Sequence, residues 1–288
     1  MPYEKIVYEK RGPVAIITFN RPEKLNAMND ALLRELDAAV DDAQNDDATK
    51  VLIFKGTGRS FSVGRDFSAE GTAETLPPDW RRRPYYTEFL DSERRHQARW
   101  QRLFELPKVT IAQVHGYCLD YGLYLTMVCD FTIAAEGARF GDPAVRIGHV
   151  TPMPLWSLML GVKKAKEFLY TGKMANAREA AYLGLVTRVV PKKKLEVAAK
   201  RLAKAMATIP ADAVVSLKEG LHTGIDMKGL GAAWRYCSEL HLCGAMQPVM
   251  PGEYSFYDVR DEKGLETAIK GANSPFKNLP YSSKKKQP

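Results

Sequence analysis

The sequence predicts an α/β fold, and three observations carry that expectation. Apolar, β-branched runs at Val14 to Phe19 and Val51 to Phe54 flank a stretch in which Leu32, Leu33, Leu36, Ala39, Val40 and Ala43 recur at helical spacing. A second strand-like run, Val109 to Val114, leads through His115 and Gly116 into a long apolar segment ending at Asp130, and Phe131 to Ala135 follows as a further short run. Beyond about Gly161 strand signals become sparse and helical spacing dominates.

The elements follow in order. The 14–19 and 51–54 runs read as strands around one helix, which Asn29 or Asp30 can cap because a short side-chain oxygen accepts from the free amides of a first turn. The 109–114 and 131–135 runs continue the alternation. Helical spacing then recurs through Lys164 to Tyr170, Ala177 to Leu183, Leu195 to Met206 and Ala213 to Leu221. Between the two halves lies a segment with Pro77, Pro78, Trp80, Arg81, Arg82, Arg83, Pro84, Tyr85 and Tyr86, then a helix-compatible stretch from Glu88 to Phe104. It reads as an inserted flap at about 71–106, because long irregular segments inside a domain are usually lids or mobile loops. The expected organisation is an α/β core over 1–208 carrying this flap, and a helical region with a basic tail over 209–288. No internal repeat of fixed period occurs.

Composition narrows the function classes. The 288 residues are 45% hydrophobic and 26% charged, which excludes disorder as the main state. Asp120 and Asp130 interrupt the most apolar stretch, Tyr117 to Ala135, so no run offers the roughly 20 apolar residues a bilayer needs. Glu4, Lys5, Glu9, Lys10 and Arg11 break a secretory-leader pattern, and a cytoplasmic location is expected. The four cysteines, Cys118, Cys129, Cys237 and Cys243, form no C-x-x-C pair, and only five histidines are present, so neither a disulfide framework nor a metal site is expected. The net charge of +8 suits a polyanion, whether nucleic acid, anionic membrane or phosphorylated cofactor. The runs 192–194 and 284–286 contribute part of it and read as solvated surface.

Four segments carry a resemblance. The first is Asn20-Arg21-Pro22-Glu23-Lys24-Leu25-Asn26-Ala27-Met28, and the second Gly56-Thr57-Gly58-Arg59-Ser60-Phe61-Ser62-Val63-Gly64-Arg65-Asp66-Phe67. The third runs from His115-Gly116-Tyr117-Cys118-Leu119-Asp120-Tyr121-Gly122-Leu123-Tyr124 to Asp130. The fourth joins Ala138-Arg139-Phe140-Gly141-Asp142-Pro143, Ile147-Gly148, Leu169-Tyr170-Thr171-Gly172 and Ala180 to Val186. In this order they resemble the crotonase superfamily, the enoyl-CoA hydratase and isomerase relatives that act on acyl-CoA thioesters. The second segment is the most specific. The resemblance implies a crotonase (ClpP/crotonase-like) spiral of β-β-α turns with a helical C-terminal oligomerisation region, and a homotrimer or homohexamer.

It also implies chemistry. Removing a proton beside a thioester puts negative charge on the carbonyl oxygen, and two preorganised backbone N–H groups stabilise that enolate by several kcal/mol. By resemblance these amides belong to Arg65 and Tyr121, the latter near a helix N-terminus whose dipole adds to the effect. Lys24, Leu25 and Ala27 of the first segment and Gly64, Asp66 and Phe67 of the second are implied to border CoA. No cofactor beyond the CoA moiety of the substrate is expected.

The chain departs from the family where acid and base are concerned. The usual third segment has glycines where this chain has Asp120-Tyr121-Gly122, and the places of the two hydratase glutamates fall, by register, on Tyr124 and Ala144. Tyr124 donates a proton or hydrogen bond but is a poor base at its ordinary pKa of about 10. Histidine ordinarily titrates near neutrality, and His149 is expected to act as base or water-activator. Asp120 reads either as a helix cap or as a partner for a water or a cation near the hole. Arg81, Arg82 and Arg83 offer a carboxylate or phosphate site or a solvated basic flap. The expected function is acyl-CoA processing by enolate stabilisation, as hydration, dehydration or isomerisation. The alternatives are carbon-carbon bond hydrolysis, decarboxylation or lyase action on a CoA thioester, and a non-catalytic acyl-CoA binder. No basic and aromatic nucleic-acid module is present.

Overall fold

A computed structural model describes residues 3–68, 71, 86–245, 249–277 and 279. A six-stranded sheet runs β1 (Ile6–Arg11), β2 (Val14–Phe19), β3 (Val51–Gly56), β4 (Val109–Val114), β6 (Phe131–Ala135) and β9 (Arg188–Val190) in that spatial order. The β1–β2 pair is antiparallel and every later pair parallel. A second sheet of three short strands places β7 (Arg139–Gly141) between β5 (Tyr117–Leu119) and β8 (Met174–Asn176).

Period-two alternation explains why the strands of the larger sheet read as continuous apolar runs. Ala15, Ile17, Phe19, Leu52, Phe54, Ala112 and Val114 face the main core, where α1 (Asp30–Asn45) lays down Leu32, Leu36 and Ala39. Ile16, Val51, Ile53, Ile111 and Ile133 face the opposite side and meet Leu195, Ala199 and Ala203. Both faces are covered, the usual state of parallel strands. Asn29 is the residue that caps α1, its Oδ1 accepting the Leu32 amide at 3.2 Å.

The second half of the expected flap is a core element. Helix α2 (Tyr86–Phe104) buries Gln97, Trp100 and Leu103, residues at three-residue spacing that share one helix face. Residues 72–85, with Arg81, Arg82, Arg83 and their aromatic neighbours, lie outside the described residues.

Helix α3 (Tyr121–Val128) is buried along its whole length. Helices α4 (Trp156–Leu160), α5 (Val162–Thr171), α6 (Ala177–Tyr182) and α7 (Leu195–Met206) follow, then α8 (Ala211–Asp226), α9 (Leu230–Ala245), α10 (Phe256–Lys263) and α11 (Leu265–Asn273). The mixed α/β body and helical C-terminal region are those the sequence predicts. Lys218 of α8 ties this region to the sheet, its Nζ donating to the carbonyls of Leu106 and Lys108 at 2.8 Å and meeting Asp130 at 2.9 Å. Short β1, β5, β7, β8 and β9 carry weak sequence signals; β1 is half charged or exposed and the others have three residues each.

Candidate active site

Three loops, following the C-terminal ends of β2, β3 and β4, meet through the Met28–Arg65 and Ser62–Cys118 bridges. In the first, a 3-10 turn over Pro22–Lys24 ends in two left-handed residues, Leu25 (φ 51°) and Asn26 (φ 57°). Asn26 is fully buried and acts as a clamp: its Nδ2 donates to the Thr57 and Ser60 carbonyls at 2.9 Å, while its Oδ1 accepts the Arg21 amide at 2.9 Å. The first loop is thereby fastened to the second. Asp66 completes the joint, its Oδ2 taking both Arg21 Nη atoms at 3.1 Å and its Oδ1 the Ser68 amide at 3.1 Å.

The second loop approaches the third backbone to backbone. Ser62 pairs with Cys118, and the Leu119 amide donates to the Ser62 carbonyl at 3.0 Å. A Cβ on Gly56 would lie 2.4 Å from the Phe61 carbonyl oxygen, so only glycine fits there.

Around this junction lies a cavity of about 330 Å³. Lys24, Leu25, Ala27, Asp66 and Phe67 line it, together with Arg65, Leu119, Asp120 and Ala144. Phe256 of α10 and Leu265, Ile269 and Ala272 of α11 close it from the C-terminal side. Arg146 Nη1 fixes that cover through Asn273 Oδ1. Gly64 belongs to the wall only through its neighbours.

The Arg65 amide is directed into this junction, and Asp120 occupies it. Its N–H donates to Asp120 Oδ2 at 2.8 Å, Nε reaches the same oxygen at 3.2 Å, and Nη2 reaches Oδ1 at 3.3 Å. The Asp120 side chain does not cap α3; Arg65 is its cationic partner. The backbone of Asp120 sits at φ 46° and ψ −120°, a conformation that costs a non-glycine residue about 1–3 kcal/mol. Arg65 Nη1 faces His241 Nε2 at 3.0 Å, and His241 Nδ1 meets the Val150 carbonyl. This pattern puts the imidazole proton on Nδ1, and burial pushes the His241 pKa down, so the ring is neutral beside the guanidinium.

Tyr121 heads α3, where first-turn amides have no carbonyl within the helix to bond. Its ring turns from the cavity and packs on Trp100, with centroids 5.2 Å apart, and on His96 at 5.4 Å.

Two expected proton carriers are placed elsewhere. Tyr124 is fully buried beneath the cavity wall, its hydroxyl donating to Asp142 Oδ2 at 2.8 Å and accepting from Thr151 Oγ1 at 2.8 Å. Burial, with Asp142 and Asp120 nearby, holds its pKa well above the usual phenol value, which excludes it as a base. His149 does not line the cavity. Its Nε2 pairs with the Tyr257 hydroxyl at 2.9 Å, its ring sits edge-on to Phe67 and His241, and its pKa is driven well below the ordinary imidazole value by burial and by Arg65. A ring so weakly basic is a poor water-activator.

Asp142 was not singled out from the sequence. It is 1% exposed, accepts the Ala144 amide at 3.2 Å besides Tyr124, and its pKa is pushed up to about 6, first by burial and then by Asp120. Its signal was a lone acid inside the buried run from Phe140 to Ala144. Among the described residues no cluster of His, Cys, Asp and Glu could hold a metal, and no helix is long and apolar enough to cross a membrane.

The chain is similar to known proteins. The family model for enoyl-CoA hydratase/isomerase matches residues 9–241. A crotonyl-CoA hydratase of Syntrophomonas wolfei is 32% identical, over 90% of this chain and 97% of that protein. A short-chain-enoyl-CoA hydratase of Clostridium acetobutylicum is 32% identical over 78% of this chain and 84% of its own length. Among solved structures, an enoyl-CoA hydratase/isomerase from Xanthobacter autotrophicus superposes with a TM-score of 0.83 at 34% identity, covering 96% of this chain and 99% of that one.

Proposed function

The chain belongs to the enoyl-CoA hydratase/isomerase family of the crotonase superfamily, and from that premise we propose that it hydrates, dehydrates or isomerises an enoyl-CoA in the cavity at Arg65 and Asp120. The observation that carries the reading is the convergence of three separately positioned loops, 24–27, 65–68 and 119–120, on one cavity whose wall includes an amide-bearing junction. Lys24, Leu25, Ala27, Asp66 and Phe67 line the CoA side. The thioester oxygen takes the Arg65 and Tyr121 amides, and the α3 dipole favours the negative charge that develops there.

A second reading rests on Ala144, which lines the cavity without a carboxylate. It favours carbon-carbon bond cleavage, by hydrolysis, decarboxylation or lyase action, through the same enolate. The exposed apolar pair Leu217 and Leu221 on one face of α8 supports self-association as a trimer or hexamer.

The deciding experiment incubates the purified protein with crotonyl-CoA, cyclic and aromatic enoyl-CoAs and β-keto acyl-CoAs, with products read by mass spectrometry and their structures by NMR. Addition of one water across the double bond, or a shifted double bond at constant mass, is the expected result. Ring opening, loss of carbon dioxide or loss of an acyl fragment establishes the second reading. Binding with no product would make the chain an acyl-CoA binder and overturn both.

A further inference from the structure

Resting on the reading of the cavity as a CoA-thioester site, we infer that Asp120 is a catalytic residue, the carboxylate that exchanges a proton with the carbon beside the thioester. Asp66 and Asp120 are the carboxylates lining the cavity among the described residues. Asp66 is committed to structure, with one oxygen on the two Arg21 nitrogens and the other on the Ser68 amide. The Asp120 carboxylate is held by Arg65, and both residues line the cavity.

The backbone makes the second argument. At φ 46° and ψ −120° glycine would sit without strain, yet an aspartate stands there. Strain of this kind persists at functional sites, where the surrounding structure over-determines it. The Asp120 amide donates to the Gly141 carbonyl at 3.1 Å and its carbonyl accepts from the Tyr124 amide at 2.9 Å, so the main chain is fixed and the carboxylate is held by Arg65.

Arg65 gives that carboxylate a place to go. A thioester oxygen arriving at the Arg65 amide displaces one of three contacts, and the guanidinium keeps the displaced group beside the acyl chain. The C2–H bond then breaks, its proton forms an O–H bond on Asp120, and the electron pair moves through the carbonyl carbon to the thioester oxygen. Negative charge passes from Asp120 to the enolate while Arg65 stays next to both, so no net charge is created in the buried site. The proton on Asp120 exchanges with solvent, and Asp120 then returns a hydron to C2, or to the allylic carbon when the double bond shifts.

The test is exchange of the C2 protons of butyryl-CoA in deuterium oxide, read by NMR, for the wild type, Asp120→Asn and Asp120→Gly. Asparagine keeps the shape but takes no proton, and glycine relieves the backbone and bares the amide. Wild-type exchange is expected, with both variants binding butyryl-CoA within about 3-fold of wild type yet exchanging at least ~100-fold more slowly. Exchange in either folded variant that falls short of that loss overturns the assignment, and faster exchange in Asp120→Gly marks the carboxylate as a plug. Wild-type binding without exchange overturns it as well. Failure of the wild type to bind butyryl-CoA or crotonyl-CoA removes instead the thioester reading beneath it.

Discussion

Gly64 and Asp120 compete for one volume. A Cβ on Gly64 would lie 2.4 Å from the Asp120 Cβ, 2.7 Å from its Oδ2 and 2.8 Å from the Leu119 carbonyl oxygen, and Gly64 itself sits at φ 91°. Glycine in the second loop is what lets the third loop carry a side chain where glycine would be the easier residue. Gly64→Ala is therefore expected to force Asp120 off the Arg65 amide and to lower stability by about 2–4 kcal/mol, from backbone strain and overpacking together. Adding Asp120→Gly should restore part of that loss and leave the Leu119 contact and the backbone strain of the substituted second loop unrelieved. Thermal melts of the single and double variants check this, and a double variant no more stable than Gly64→Ala would place the conflict at Leu119 alone.

The Tyr124 hydroxyl serves the fold. It joins Asp142 to Thr151, which in turn accepts the Trp156 Nε1 proton at 3.0 Å, so one hydroxyl links α3 to the chain at Asp142 and to the loop before Trp156. Tyr124→Phe leaves Asp142 with a lost donor in a buried site and should cost about 1–3 kcal/mol. Because Tyr124 does not reach the cavity, turnover per folded molecule should stay within about 3-fold, whereas loss of a proton carrier lowers it ~100-fold or more. Urea midpoints compared with kcat on the same preparations separate the two.

Asp142 makes stability depend on pH in the direction opposite to a salt-bridged carboxylate. Burial, then Asp120, raises its pKa from an ordinary 3.8 to about 6 in the fold. Above pH 6 both folded and unfolded chains carry the charge, and the fold bears the whole burden of burying it. As pH falls from 6 toward 3.8 the folded state takes up a proton that the unfolded state still lacks, and the burden fades. Asp142→Asn stays neutral throughout, so its melting temperature relative to wild type should be higher at pH 7.5 than at pH 5. An equal difference at the two pH values would show that Asp142 does not titrate in this window.

The sequence made the scaffold legible and left the carboxylate chemistry hidden. Strands such as Val14–Phe19 and Val109–Val114 declare themselves because burial on both faces demands unbroken apolar runs. The two-loop junction was readable because its glycines and the Asn26 clamp sit in a fixed local order. Which acid faces the cavity was not. Asp120 reads from the sequence as a helix cap or as the partner of a water or cation, and the positive φ of its backbone turns the side chain to Arg65 instead of to the first turn of α3. Tyr124 stands in the register of a family glutamate, but a phenol longer than a carboxylate finds Asp142 and Thr151 behind the wall. His149 follows the Gly148 turn as expected and meets Tyr257, which comes from more than a hundred residues away in the least family-like part of the chain.

Asn26 tests whether the site depends on the clamp or on the loops themselves. The residue does three jobs at once: it holds φ 57°, its amide nitrogen satisfies the Thr57 and Ser60 carbonyls, and its oxygen receives the Arg21 amide. Asn26→Gly keeps the backbone conformation and loses every side-chain bond, while Asn26→Asp keeps the acceptor and loses the two donations. Asn26→Ala loses both and adds strain. With each lost buried hydrogen bond worth about 0.5–1.5 kcal/mol, and a buried carboxylate facing the Thr57 and Ser60 carbonyl oxygens costing more than two lost bonds, the expected order of stability is wild type, then Gly, then Ala and Asp. Arg65 pairs with Met28 just beyond the clamp, and the Met28 amide donates to the Gly64 carbonyl at 2.7 Å, so loosening Asn26 should also displace the Arg65 amide. CoA-thioester affinity is accordingly expected to fall in the same order as stability across the four proteins. Affinity unchanged in a destabilised Asn26→Gly would mean that the Met28–Arg65 pairing positions the amide without the clamp.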